Sequence, residues 1–212
     1  MNYTAFADSI GGIFMSKTKE NSINVAMLGL FSGIIVVLQS LSYVIKIGTF
    51  NLSLVLIPVV LGAVMFGARF GAILGGVFGA VALIASIIGV DAGGSILFQS
   101  SPFFTIAVCL VKGIAAGFIA GLIGDSDAIK NRYVKTVLAA VAAPIINTGI
   151  FVAAMFLFFK ETLFVWSGEN NVFYYTIFTL IGINFIIEFS INAVFSPIIY
   201  RIINALRRNH IG

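Results

Sequence analysis

The chain has 212 residues, of which 60% are hydrophobic and 9% are charged, and its formal net charge is +4 at pH 7. Soluble domains carry about 25% charged residues, and the mean hydropathy of this chain is +1.12, so the composition indicates an integral membrane protein. A single Cys and a single His exclude a disulfide framework, a Cys-based metal site and His-dependent catalytic triads. We expect no metal ion and no cofactor. We also expect no nucleic-acid partner, because the basic residues lie between apolar stretches.

Six apolar stretches are predicted to be transmembrane helices, because a span needs about 20 mainly apolar residues. The predicted fold class is an all-α integral membrane protein, with one six-helix domain over residues 23–206. An N-terminal segment, residues 1–22, is expected to be cytoplasmic or to lie on the membrane surface, and residues 207–212 are expected to form a cytoplasmic tail. In chain order, the predicted spans are residues 23–45, 52–67, 70–89, 102–124, 134–159 and 172–203.

The second and third predicted spans are separated only by residues 67–70, which predicts a tight helical hairpin. The second span is short, and Pro58 within it is expected to kink the helix. In the third and fourth spans glycines recur at every fourth position, a spacing that lets helix backbones approach closely in lipid. We interpret this spacing as a packing signal and not as a binding site. The glycines are Gly71, Gly75 and Gly79 in the third span, and Gly113, Gly117 and Gly121 in the fourth.

The distribution of Lys and Arg predicts the orientation, since cytoplasmic connections carry an excess of both. With the N-terminus in the cytoplasm, nine of these residues lie on the inner side and only Lys46 and Lys160 on the outer side. Both termini are therefore predicted to be cytoplasmic. The connections 46–52, 90–101 and 160–171 then face outward, where they form either lids over a site or solvated turns. The nine inner residues are Lys17, Lys19, Arg69, Lys130, Arg132, Lys135, Arg201, Arg207 and Arg208.

Five charged or amide side chains lie well inside the last three predicted spans: Lys112, Asn147, Asn184, Glu188 and Asn192. A charge at bilayer depth costs about 3 kcal/mol or more, so it is usually paired or faces a polar cavity. The last three residues recur at every fourth position and share one ridge of the final span. Measured from the outer ends of their spans, the depths of Lys112, Asn147 and Asn184 agree within about two helical turns.

Two interpretations of these residues remain open. In the first, they line an outward-facing pocket for a small polar ligand, and the asparagines supply directional hydrogen bonds. In the second, Lys112 and Glu188 form an ion pair that only fixes the packing of the helices. An enzyme is not expected under either interpretation, because the sequence shows no nucleophile with an accompanying base.

Five segments of the chain are similar to one family of membrane proteins: NLSLVLIPVVLGAVMFGARFGAILGGVFG, GVDAGGS, SPFFTIAVCLVKGIAAGFIAGLI, APIINTGIF and INFIIEFSINAVFSPII. They resemble the substrate-binding S component of an energy-coupling factor (ECF) vitamin transporter. The resemblance extends over residues 23–203, nearly the whole chain. Its most specific blocks are residues 54–79, 102–124, 143–151 and 183–198.

The resemblance implies a six-helix fold with both termini in the cytoplasm, in agreement with the distribution of Lys and Arg. It also implies capture of a vitamin or related micronutrient from outside, beneath lids formed by the outer connections. The implied partners are a transmembrane scaffold subunit and two cytoplasmic ATPase subunits, and the implied location is the plasma membrane of a bacterial cell. Such S components have no ATPase of their own.

The resemblance also assigns roles to residues of this chain. Docking on the scaffold uses small residues of the first helix in this family, commonly in an AxxxA pattern. Ala26 is followed by Leu30, so that pattern is not met, and Gly29 and Gly33 provide a GxxxG version instead. Packing against helices of the same chain is the alternative role for these two glycines.

Pantothenate is the vitamin that the resemblance favours. Lys112 suits its carboxylate, and Asn147 and Asn192 suit its amide and hydroxyl groups. Two other functions stay open on the sequence alone. One is a stand-alone secondary transporter or facilitator that works without ATP, and the other is a structural membrane subunit that binds no ligand.

Overall fold

The computed structural model describes residues 3–43, 46–47, 50–51, 54–168 and 170–208 of the chain, and most of them are helical. The helices run up and down the molecule, and a pair of two-residue strands lies between the first two helices. In chain order the elements are α1 (Tyr3–Ser42), β1 (Lys46–Ile47), β2 (Phe50–Asn51), α2 (Leu56–Phe66), α3 (Ala68–Ile88), α4 (Ala92–Ser100), α5 (Pro102–Asp125), α6 (Arg132–Phe158), α7 (Lys160–Ser167), α8 (Val172–Tyr174), a π-helix (Tyr175–Gly182) and α9 (Ile183–Arg208).

Five helical stretches of the described residues are long and apolar enough to cross a membrane. Each lies within a few residues of a predicted span, so the all-α membrane class is confirmed. The remaining predicted span, residues 52–67, contains the 11-residue helix α2, which at 1.5 Å per residue covers about 16 Å, roughly half of the hydrocarbon layer. The five stretches are Ser22–Ser42, Ala68–Ile88, Pro102–Asp125, Arg132–Phe158 and Val172–Ala205.

The turn between α2 and α3 is as tight as predicted, because Gly67 alone separates the two helices. Its φ of +92° is a backbone conformation that residues with a side chain rarely adopt. Asp125, at the end of α5, accepts a hydrogen bond of 3.0 Å from the backbone N–H of Ala68 and so satisfies a donor at the start of α3. Pro58 lies in the first turn of α2, where its missing N–H interrupts no helical hydrogen bond.

The predicted glycine faces bring α3 and α5 into backbone contact. A Cβ atom on Gly75 would collide with the carbonyl oxygen of Gly113, and one on Gly71 would collide with that of Gly117. These approaches are possible only because neither helix carries a side chain at the contact. The packing interpretation of the glycine spacing is therefore confirmed.

Two of the predicted outer connections contain short helices instead of open loops. Residues 90–101 include α4 and residues 160–171 include α7, and both lie at the same end of the molecule, which we call the capped end. The hydroxyl of Ser95 donates to the backbone carbonyl of Ser86 at 2.6 Å, which ties α4 to α3.

The two capping helices also contact each other. The hydroxyl of Thr162 on α7 donates to that of Ser100 on α4 at 3.3 Å. The apolar side chains of Leu97 on α4 and Leu163 on α7 belong to one buried cluster. In the third outer connection, β1 and β2 pair in antiparallel register, with Lys46 opposite Asn51; residues 48–49 and 52 of that connection lie outside the described residues.

Candidate functional site

A cavity of about 130 Å³ lies beneath α4 and α7 at the capped end. Residues of α1, α3, α5, α6 and α9 form its wall, together with Gly94 and Leu97 of α4 and with Phe159, which precedes α7. Four of the five predicted site residues line this cavity: Lys112, Asn147, Asn184 and Glu188. The fifth, Asn192, is absent from the lining. Residues that are far apart in sequence are thus brought together by the fold at one depth.

Lys112 reaches the cavity from the middle of α5. Its Nζ atom lies 5.3 Å from the centroid of the Phe151 ring and 5.9 Å from that of Phe78. Both distances are within the range in which an aromatic face attracts a cation. These two ring contacts place the ammonium in the cavity wall beside aromatic side chains.

Glu188 and Asn192 lie on the same ridge of α9, as their spacing predicted, but they differ in what they face. Glu188 is 8% exposed and lines the cavity. Asn192 is fully buried one helical turn deeper, and its Nδ2 donates a hydrogen bond of 2.8 Å to the backbone carbonyl of Glu188. The amide of Asn192 therefore lies behind Glu188, outside the cavity wall.

Asn147 places a buried amide in the cavity wall at the middle of α6. The residue is 8% exposed, and within the described part of the chain its Oδ1 atom has no hydrogen-bond partner. A buried acceptor without a partner costs about 1 to 3 kcal/mol. A solute in the cavity that donates a hydrogen bond to this oxygen would remove that cost.

Sequence reasoning missed a hydrogen-bonded pair from the end of α1. The amide Nε2 of Gln39 donates to the phenol oxygen of Tyr43 at 2.8 Å, and both residues line the cavity. Burial raises the pKa of Tyr43, which lies just beyond the membrane-spanning part of α1, to about 12. The phenol oxygen accepts from Gln39, and its O–H remains a donor for a solute in the cavity. The four-residue spacing of these residues at the outer end of the first span was the available signal.

The acidic residue Asp91 was also missed, because it lies in a connection and not in a span. It precedes α4 at the N-cap position and lines the cavity. Among the described residues, the charged side chains of the cavity wall are therefore Lys112, which is basic, and Asp91 and Glu188, which are acidic. Within the described residues, no group of three His, Cys, Asp or Glu side chains is placed to hold a metal ion.

The two predicted docking glycines lie on the outer face of α1. Gly29 and Gly33 are exposed, and a Cβ atom built on either one would have no atom within 4 Å among the described residues. Among the described residues, no other helix of the chain packs against these two glycines. Apolar side chains surround them on the same helix, and Leu30 and Val37 are each more than half exposed.

A polar cavity within a bundle of apolar helices, closed by two short helices at one end, is an arrangement suited to holding a small polar solute inside a membrane. It defines the class of the protein as a multi-pass membrane protein with an internal polar cavity. The profile of the family described as ECF transporter, substrate-specific component, matches residues 24–203. The chain belongs to this family, whose members are transporter subunits and not enzymes. No curated protein sequence matches the chain.

Proposed function

We propose that this protein captures a small carboxylate-bearing vitamin from outside the cell in the cavity beneath α4 and α7, and that pantothenate is its substrate. The observation that carries this proposal is Lys112, a cation inside the membrane that faces the cavity and has aromatic rings beside it. A carboxylate opposite this ammonium would form a charge-assisted hydrogen bond in an environment of low dielectric constant.

Neighbouring polar groups support a ligand that carries hydrogen-bond donors and acceptors as well as a carboxylate. The Oδ1 of Asn147 offers an acceptor, and the phenol of Tyr43 offers a donor. Glu188 adds an acceptor in the same wall. Pantothenate has an amide and two hydroxyl groups that match such a set. Asn184 is the remaining predicted contact in the cavity wall, whereas Asn192 acts through the backbone of Glu188.

A second candidate substrate, niacin, is favoured by the size and lining of the cavity. A cavity of about 150 Å³ is known to hold benzene, and the volume here is about 130 Å³. Four phenylalanines, at positions 78, 151, 159 and 185, contribute to the wall. Niacin is an aromatic carboxylate smaller than pantothenate, so it would require less outward movement of α4 or α7 than pantothenate would.

We propose further that the chain crosses the membrane six times, with both termini in the cytoplasm and the capped end outside. The distribution of Lys and Arg supports this orientation. The positions of Tyr43 and Ala68 support the sixth crossing. Tyr43 lines the cavity at the capped end, whereas Ala68 lies against Asp125 at the opposite end. The short helix α2 lies between these two residues in the chain.

A transmembrane scaffold subunit and two ATPases are the proposed partners, and Gly29 and Gly33 are the proposed docking residues. The open space above both glycines supports a close approach of another helix. The proposed location is the plasma membrane of a bacterial cell. In this arrangement the scaffold and ATPases supply the energy for release of the vitamin inward.

Calorimetry with the purified protein and a panel of B vitamins tests the substrate. We expect saturable binding of pantothenate, and binding of niacin alone would select the second candidate. If no carboxylate-bearing vitamin binds while a neutral or cationic one does, the proposed role of Lys112 is wrong. Mass spectrometry of ligands that co-purify with the protein provides an independent check of the same point.

Two further experiments separate the competing functions. Purification of the tagged protein from its native host should recover a scaffold subunit and two ATPases. Liposomes that contain this protein alone should not accumulate the vitamin, whereas a stand-alone facilitator would transport it without ATP. If such liposomes take up the vitamin at the rate seen with the full complex, the S-component proposal is overturned.

A further inference from the structure

A second cavity lies at the end of the molecule opposite the capped end, and no part of the vitamin site uses it. Its volume is about 150 Å³, and its wall is formed by parts of four helices and one connection. Of the six described residues that line it, three are basic: Lys130, Arg132 and Lys135. The others come from α2, the end of α5 and α9, and they are Val64, Gly124 and Ile203.

The three cations lack an acidic neighbour that neutralises them within the described residues. The nearest acidic residues in sequence are Asp125 and Asp127, and neither lines the cavity. Asp125 is directed elsewhere, because its Oδ2 accepts the hydrogen bond from the N–H of Ala68. Three like charges around one small cavity repel each other, and an anion between them would remove this repulsion.

The start of α6 adds to the positive potential but does not supply the ligand groups. The side chain of Asn131 accepts hydrogen bonds from the backbone N–H groups of Tyr133 and Val134 at 2.9 and 3.4 Å. Those donors are therefore already engaged. The side chains of Lys130, Arg132 and Lys135 are left as the groups that can bind an anion, and the helix dipole favours negative charge at the same place.

We propose that this cavity binds a phosphate group. Arg offers a planar pair of donors that matches two phosphate oxygens, and Lys supplies point charges beside it. A phosphate has fewer heavy atoms than benzene, which a cavity of about 150 Å³ can hold. The phosphate belongs either to the headgroup of an anionic lipid or to a soluble phosphate compound.

The position of the cavity is compatible with a lipid. The membrane-spanning part of α6 begins at Arg132, so the basic residues lie where a headgroup would meet the helix ends. The apolar side chains of Val64 and Ile203 line the same cavity. Basic pockets between helices on the cytoplasmic side are a known setting for anionic headgroups.

The test uses the full chain with two arms that distinguish the sources. In the lipid arm, native mass spectrometry counts phosphatidylglycerol retained after extraction from vesicles of phosphatidylcholine and phosphatidylglycerol. In the soluble arm, the melting temperature in phosphatidylcholine nanodiscs is measured with inorganic phosphate against chloride at equal ionic strength. The variant replaces both Arg132 and Lys135 by Gln. The matched control replaces Arg69 and Arg201 by Gln, since both are exposed basic residues outside the cavity.

We expect the cavity variant to lose about tenfold or more in lipid retention or in apparent phosphate affinity, because it loses two charged contacts. The control variant should keep the lipid retention and the apparent phosphate affinity of the wild type. A loss in the lipid arm identifies a lipid headgroup, and a loss in the soluble arm identifies a soluble phosphate. Equal losses of lipid retention or phosphate affinity in the variant and the control would show that only the general surface charge matters, and they would overturn the proposal. The proposal is also overturned if the wild-type protein responds in neither arm.

A milder variant keeps the test decisive if the double variant does not fold. Lys130→Gln changes an exposed side chain in the connection between α5 and α6. In whichever arm the wild type responds, this variant should lower the lipid retention or the phosphate affinity by about threefold, as expected for a single exposed charge. An unchanged response of Lys130→Gln, in the absence of a folded double variant, counts against the proposal.

Discussion

The ammonium of Lys112 lies 5.3 Å from the centroid of the Phe151 ring, across the cavity wall from α5 to α6. This cation–π contact, together with the one to Phe78 at 5.9 Å, holds the charge without neutralising it. The two rings also limit the access of water to the ammonium.

Lys112→Met should abolish tight binding of the vitamin while leaving the fold intact. The loss of one charge-assisted hydrogen bond is expected to cost about 2 kcal/mol, or roughly thirtyfold in Kd. Calorimetry measures the affinity, and a melting profile in detergent measures the stability. Lys160→Met is the matched control, because Lys160 is exposed at the start of α7 and does not line the cavity. If the affinity of Lys112→Met is unchanged, or if both variants lose affinity equally, Lys112 does not bind the carboxylate of the vitamin.

Asn147→Leu and Asn192→Leu should separate a ligand contact from a buried structural amide. The first removes an acceptor that has no partner among the described residues, so stability should be equal or slightly higher while the affinity for the vitamin falls about tenfold. The second also removes an Oδ1 without a partner among the described residues, but it breaks the hydrogen bond to the carbonyl of Glu188. Its stability should therefore be lower than that of Asn147→Leu by about 1 kcal/mol, with a smaller change in affinity. The opposite pattern of affinities would place Asn192, and not Asn147, at the ligand.

Gly94→Ala should weaken the closure of α4 over the cavity. A Cβ atom there would collide with the hydroxyl of Ser86 and lie 2.7 Å from the carboxylate of Asp91. Because α4 would have to move away from α3, the vitamin should dissociate several times faster than from the wild type. Stopped-flow measurement of the dissociation rate checks this expectation. The control is Gly89→Asn, which changes the nearby turn at a glycine of φ +85° with open space around it, and it should leave the rate unchanged.

Gly29→Leu combined with Gly33→Leu should prevent assembly with the scaffold without affecting the vitamin site. Both positions have open space around them, so the fold accepts the larger side chains, whereas a partner helix could no longer approach closely. Co-purification of the scaffold and ATPases measures assembly, and calorimetry measures vitamin binding. Gly149→Leu is the matched control, since Gly149 on α6 is equally exposed and equally open. If the double variant still assembles with the scaffold, the docking surface does not lie at these glycines of α1.

Much of the fold could be predicted because the bilayer imposes simple requirements on the sequence. Helices in lipid must be about 20 apolar residues long, and five stretches of this chain meet that length within a few residues of their predicted bounds. The glycine spacing predicted the contact of α3 with α5, since only small residues allow backbones to approach so closely. The helices α4 and α7 were not predicted, because short polar segments carry no comparable length signal.

The sequence by itself determined that this is a helical membrane protein, that Lys112 and Asn147 lie at a common depth, and that the chain resembles an S component. Only the tertiary structure decided which polar side chains face the same cavity, because spacing along a helix does not define its rotation about its axis. Glu188 and Asn192 share a ridge, yet one helical turn, about 5 Å, separates a residue in the wall from one behind it. Gln39 and Tyr43 join the site for the same reason, since packing of α1 against the bundle brings them beside residues far away in the sequence.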